Sequence, residues 1–102
     1  MIGHICLHPP YPALENDPEF IGKTGFSLSF AAAGGERRRG YMEEALRSLI
    51  RDLFEKGRAD FIDCEYTAFN TASRALQKKL GFTYWGAEPL EYTELMINVL
   101  KK

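Results

Sequence analysis

Between residues 23 and 67 the apolar period of the chain changes twice, and few folds accommodate such a change in so short a span. The stretch KTGFSLSFA alternates Phe26, Leu28 and Phe30 against Gly25, Ser27 and Ser29, which is the period of a half-buried strand. From Tyr41 the period becomes helical: Met42, Ala45, Leu46, Leu49, Ile50, Leu53 and Phe54 form one stripe, with Glu43, Arg47, Arg51 and Glu55 on the other side and Gly57 at the expected stop. ADFIDCEYT then reads as a strand rich in β-formers. A helix of this length between two strands is a βαβ crossover, so the strands are expected to be parallel neighbours joined with right-handed connectivity. Their carboxyl ends and the adjacent helix amino ends then mark a ligand crevice.

The flanking segments extend this frame. IGHICLHPP predicts a strand over residues 2–8, stopped by Pro9 and Pro10, which cannot donate to a ladder. Residues 11–22 read as a loop, so the first two strands form a hairpin with a long connection. NTASRALQKKL reads as a second, shorter helix closed by Gly81, and FTYWGA and YTELMINVL as two strands joined by a turn at Glu88 and Pro89. The order β-β-α-β-α-β-β predicts an α/β domain with a mixed sheet, spanning residues 1–102 as one unit without repeats or linkers.

Charge and cysteine usage narrow the function classes. A net charge of −1 provides no global field toward nucleic acid or an anionic membrane, so any anion must be recognised locally. Cys6 and Cys64 do not make a disulfide framework, the opening MIGHICLHPP lacks the features of a signal peptide, and no run approaches bilayer length. These features predict a soluble cytoplasmic protein.

One such local site is suggested by GGERRRGYMEEAL. Gly35 and Gly40 have the spacing of a nucleotide-triphosphate loop, but Tyr41 and Met42 occupy the positions of its Lys and hydroxyl, and the dinucleotide G-x-G-x-x-G pattern is absent. The helix beginning near Gly40 has no Ser, Thr, Asp or Asn just before it to cap its first N–H groups. Uncapped amides beside Arg37, Arg38 and Arg39 either bind an anion or form a solvated turn capped by water.

Taken with the second helix, the pattern acquires a family likeness. Arg37-x-x-Gly40 followed by GYMEEAL, and then Asn70, Ser73, Lys79, Gly81 and Phe82 in NTASRALQKKLGF, resemble the two central motifs of the GNAT superfamily of acyl-CoA-dependent N-acyltransferases, especially the branch that acetylates ribosomal-protein amino termini. Met42 replaces the small residue that usually ends the first motif. The likeness covers residues 37–82 closely and extends more weakly from Gly3 to Leu100. It implies coenzyme A or acetyl-CoA as ligand, with the amides of Arg38, Arg39, Gly40, Tyr41 and Met42 on the pyrophosphate, and the pantetheine arm paired with backbone at Ser29, Phe30 and Ala31. Asn70, which could equally be an ordinary helix cap, would hydrogen-bond that arm, and Ser73 would face the cofactor.

Transfer to an amine also needs a base, oxyanion donors and an acid for the departing thiolate. Backbone N–H near Phe30 is the candidate oxyanion donor. Many relatives carry an acidic Tyr seven residues after the Asn, and Gln77 stands there instead. Asp63 and Glu65 share a strand face and are either surface or salt-bridged carboxylates or a base acting through water, a role assigned to Glu65, with Ser73 as the second candidate catalytic residue. His4, Cys6 and His8 alternate on one face, but H-x-C-x-H is not a usual zinc spacing, so no metal is expected. The expected function is acetyl transfer from acetyl-CoA to an amine of unknown identity, and the competing reading is a non-catalytic coenzyme A-binding or subunit-interaction module. Relative to the family pattern the first strand-helix-helix-strand is expected to be missing, which would leave residues 2–8 as a sheet edge. A homodimer or partner chain would then cover the face of Ile2, His4, Cys6 and His8.

Overall fold

The computed structural model describes the backbone of residues 3–32 and 39–102, and the side chains of residues 5–30 and 41–102. Strand β1 (Gly3–His8) leads through a short 3-10 turn (Pro12–Asn16) to β2 (Gly25–Ala32), helix α1 (Arg39–Glu55), β3 (Phe61–Thr67), helix α2 (Thr71–Leu80), β4 (Thr83–Pro89) and β5 (Glu94–Lys101). The five strands form one sheet in the order β1-β2-β3-β5-β4. β2 and β3 are parallel, as the crossover requires, and the other neighbours are antiparallel. Ile2, Arg37 and Arg38 lie outside the described residues.

The predicted element order is therefore the observed one, with a shifted final turn. β4 runs on through Pro89, which pairs with Glu94, and the chain reverses at residues 90–93, where the Leu90 N–H donates to the Thr93 carbonyl at 2.8 Å. β4 is an edge strand, so a proline at its end removes no required ladder bond.

Period-two alternation divides the sheet into two faces. Leu28, Ile62 and Cys64 point toward the helices and pack with Met42, Leu46, Ile50, Leu53, Leu80 and Phe82. α1 contributes its stripe to this core, and Gly57 follows it at φ 66°. Phe61 and Val99 point to the opposite face, where Leu14 and Phe20 cover them and Tyr11 and Trp85 pack alongside. The segment predicted as a simple loop therefore builds a second core. It is pinned by the Trp85 indole N–H, which donates to Asp17 at 2.7 Å, and by Phe20 and Phe61, whose ring centroids lie 4.6 Å apart.

Among the described residues, no helix is long and apolar enough to cross a membrane.

Candidate active site

The parallel ladder between β2 and β3 is short. It runs through Gly25↔Phe61, Phe26↔Ile62 and Ser27↔Asp63, whereas β2 stays paired to β1 as far as Ala32 and β3 stays paired to β5 as far as Thr67. Beyond Ser27 and Asp63 the two strands consequently diverge, leaving a wedge between their facing edges. Ser29, Phe30 and Ala31 form its β2 wall. Successive N–H groups in a strand point to alternate edges, so backbone donors and acceptors of this wall face the wedge. Both helices begin at its open end, α1 at Arg39 and α2 at Thr71. Tyr41 is 58% exposed there, whereas the Met42 side chain is buried in the helix-side core, so Met42 can meet a ligand only through its amide.

On α2 the structure assigns Asn70 and Ser73 local roles. Asn70 Oδ1 accepts from the Ser73 N–H at 3.1 Å, the bond of an N-cap, leaving the amide NH₂ of Asn70 pointing outward for further donation. Asn70→Ala should therefore cost about 1 kcal/mol of stability, a loss that chemical denaturation would read. Gln77 is buried and fully engaged: its amide donates to the Glu65 carbonyl at 3.3 Å and to Ser73 Oγ at 3.1 Å, and its carbonyl accepts from Asn98 at 3.1 Å. It ties α2 to β3 and β5. Because Ser73 Oγ accepts from Gln77, its own hydroxyl hydrogen is free to donate elsewhere.

The apex of the wedge holds the chemically distinctive group. Asp63 and Glu65 project from β3 on the face away from the helices, in register with Val99 and Ile97. Asp63 Oδ1 accepts from the Tyr11 backbone N–H at 3.2 Å, and Glu65 Oε1 accepts from the Ser27 hydroxyl at 3.3 Å. The second oxygens, Asp63 Oδ2 and Glu65 Oε2, are buried and meet no donor among the described residues. Two buried carboxyls without a cation cannot both ionise cheaply. Burial raises the affinity of both for protons; Glu65 is pushed up to about 9 by burial and then by its hydrogen bond and repulsion with Asp63. One proton held between the two carboxyls would relieve both.

Next to the pair, His8 Nε2 and Ser29 Oγ lie 2.9 Å apart and Cys6 is exposed. The His4 side chain lies outside those described, and among the described residues no three metal-ligating side chains converge. Burial raises the Cys64 thiol, which faces the helices. Sequence reasoning placed Asp63 and Glu65 on one face but missed Tyr11 and Ser27 as their partners. Ser27 was accessible in principle, since the β2 alternation puts it on the same face as the two carboxyls.

A diverging parallel pair with two helix amino ends at its mouth is a recognisable frame, and the family description of an acetyltransferase (GNAT) domain matches residues 1–83. The chain belongs to the GNAT acetyltransferase family. Solved structures agree on the fold. A GNAT-family acetyltransferase from Bacillus anthracis superposes with TM-score 0.77 at 17% identity, covering 99% of this chain and 58% of that one. The ribosomal L7/L12 alpha-N-protein acetyltransferase RimL, in complex with coenzyme A, gives 0.74 at 16% identity over 97% of this chain and 54% of its own. A chimera of the spermidine N-acetyltransferase SpeG from Vibrio cholerae with hSSAT gives 0.75 at 14% identity over 98% and 58%. This GNAT chain thus spans between 54% and 58% of the length of these three structures. No curated protein matches it by sequence.

Proposed function

We propose that this GNAT domain binds acetyl-CoA in the wedge between β2 and β3 and transfers the acetyl group to an amine. The observation that carries this reading is the buried carboxyl pair Asp63–Glu65, each with one oxygen that meets no donor among the described residues, at the apex of a wedge whose walls offer backbone hydrogen-bonding edges. The pantetheine amides pair with Ser29, Phe30 and Ala31 much as an added strand would. The pyrophosphate lies over the amino end of α1, at the amides of Arg39 to Met42, where the helix dipole favours an anion. The outward NH₂ of Asn70 donates to the same arm.

An amine reaches the site as an ammonium, whose N–H groups can replace the shared proton as donor to both orphaned oxygens. The displaced proton leaves to water, and Glu65 then takes a second proton from the nitrogen. Burial and the neighbouring Asp63 favour the protonated form of Glu65, which draws the proton toward it. The freed lone pair attacks the thioester carbonyl carbon. Wedge-facing N–H groups of β2 hold the oxyanion that develops as the C–N bond forms; the surplus proton on the nitrogen passes through the Ser73 hydroxyl to the thiolate as the C–S bond breaks, and Glu65 returns its proton to water. Incubation with acetyl-CoA and a panel of amines and peptides, read by thiol release, tests the proposal: amine-dependent release supports it, and release no faster than the amine-free rate overturns it.

The same reading extends to assembly and location. The free thiols Cys6 and Cys64 suit a reducing cytoplasm. β1 is a sheet edge on which Cys6, Leu7 and His8 are exposed, and an uncovered edge invites pairing. We expect a homodimer, or a partner chain, across β1. Size exclusion with light scattering at micromolar concentration reads the homodimer as a doubled mass. A monomer there, binding no further chain in pull-down, contradicts the assembly.

A further inference from the structure

We propose that Gln77 is a positioning residue for the transfer step, holding the Ser73 hydroxyl with its oxygen engaged and its hydrogen free for the departing sulfur. This rests on the acetyl-transfer reading for what receives that hydrogen, but not for the bonds that direct it.

Backbone carbonyls decide the polarity. A carbonyl oxygen only accepts, so the side-chain atom of Gln77 that lies 3.3 Å from the Glu65 carbonyl must be its nitrogen. For the same reason, the atom of Asn98 that lies 3.5 Å from both the Cys64 and the Met96 carbonyls is its nitrogen. The remaining contacts then have one direction each. Asn98 donates to Gln77 Oε1 at 3.1 Å, and Gln77 Nε2 donates to Ser73 Oγ at 3.1 Å. Turning the Gln77 amide over would set oxygen against the Glu65 carbonyl and nitrogen against the Asn98 nitrogen. Both amides are buried, at 2% and 6% exposure, so no water would relieve those clashes.

Ser73 is the free end of this chain of amides. Its oxygen is obliged to accept from Gln77, and its hydroxyl hydrogen meets no acceptor among the described residues. The side chain is half-buried in the first turn of α2, so the hydrogen can be given to a bound ligand. The Gln77 nitrogen that touches Ser73 also touches the Glu65 carbonyl, which sets the candidate acid beside the residue that carries the candidate base. Left to itself, a helical serine commonly turns its hydroxyl back to a carbonyl of the preceding turn. As the hydroxyl proton passes to sulfur and the surplus proton on nitrogen follows it, charge builds on Oγ, where the Gln77 N–H is already aimed. An amide has no proton to give at neutral pH, so its contribution is direction and charge.

Gln77 is the only glutamine of the chain, so selective ¹⁵N-glutamine labelling shows its side chain as one pair of amide resonances, without cofactor. Both hydrogens should exchange with water at least about 100-fold more slowly than those of free glutamine, as buried bonded groups do. A double-mutant cycle then reads the role in transfer, with acetyl-CoA as donor and the amine of the panel that releases thiol fastest. Gln77→Met, close in shape, should lower kcat by about 10–100-fold, the worth of one hydrogen bond to a developing charge. In a Ser73→Ala background the same change should cost less than about twofold, because the group it directs is gone. Gln77→Glu, whose carboxylate accepts the Ser73 hydrogen and draws it inward, should show the same dependence on Ser73 and stands in where the Met variant fails to fold. Equal losses with and without Ser73, or free exchange of the amide, overturn the proposal alone. No thiol release by the unaltered chain overturns the transfer reading and this role with it.

Discussion

Replacing Glu65 with Gln lowers kcat/KM for acetyl transfer by about 10²–10⁴-fold, the range for loss of a positioned general base. Glutamine has nearly the same shape, and its carbonyl can still accept from the Ser27 hydroxyl. It cannot take a proton from an ammonium, and it offers Asp63 a fixed N–H donor in place of a shared proton. Loss of rate with an unchanged coenzyme A affinity would place Glu65 in chemistry, and an unchanged rate would remove it from the mechanism.

The same substitution should alter stability with the opposite sign to a simple loss. Glu65 has a folded-state value of about 9 against an ordinary 4.5, so between those limits the folded chain holds a proton that the unfolded chain has released. Stability therefore falls as pH rises through that window and is flat above it. The unaltered chain should melt higher at pH 5.5 than at pH 8.5. Asp63, also raised, acts in the same direction; Ser27 and the Tyr11 N–H, the other groups bonded to the pair, do not titrate there. Asp17, held low by its bonds from Trp85 and the Glu19 N–H, contributes stability that is lost only in acid below about 3.8. Glu65→Gln should flatten most of the dependence between pH 5.5 and 8.5. A slope unchanged by the substitution would show that Glu65 does not hold the extra proton.

Gly25→Ala carries the largest expected effect on the fold. Gly25 is the first rung of the parallel ladder, directly opposite Phe61. A methyl group built there would run into the Phe61 ring. That ring cannot swing aside, because Phe61 is 2% exposed and packs against Phe20. Overpacking of this kind costs about 1–3 kcal/mol, and for a domain of this size each kcal/mol lowers the melting temperature by about 4–8 °C. Because the wedge opens only two rungs farther on, the strain should also weaken coenzyme A binding. Thermal unfolding reads the first effect, and a melting temperature within about 2 °C of the unaltered chain would contradict the packing account.

Local periodicity made most of the frame legible. Alternation at Phe26, Leu28 and Phe30, then the stripe from Met42 to Phe54, define the crossover, and the crossover fixes the parallel β2–β3 pair. Asn70 and Gly81 bound α2 as their cap chemistry requires. What could not be read is non-local. Leu14 and Phe20 sit in a segment with no sustained period, and their burial depends on Phe61, Val99 and Trp85 brought from distant strands. Pro89 looked like a turn because a proline usually ends a strand, and only the edge position of β4 permits it to remain in one. Glu65 was visible as a carboxylate on a strand face, but its orphaned oxygen and its raised proton affinity arise from burial and the neighbouring Asp63, which outweigh the opposing hydrogen bond from Ser27. Gln77, conspicuous for standing where relatives carry a tyrosine, is a buried tie between α2, β3 and β5.

Calorimetric titration of the full chain with coenzyme A tests most directly whether the wedge between β2 and β3 is a cofactor site. The account predicts one molecule bound per chain and a melting temperature that rises with cofactor concentration, since a ligand selective for the folded state stabilises it by mass action. No binding heat and no thermal shift at millimolar coenzyme A would contradict it.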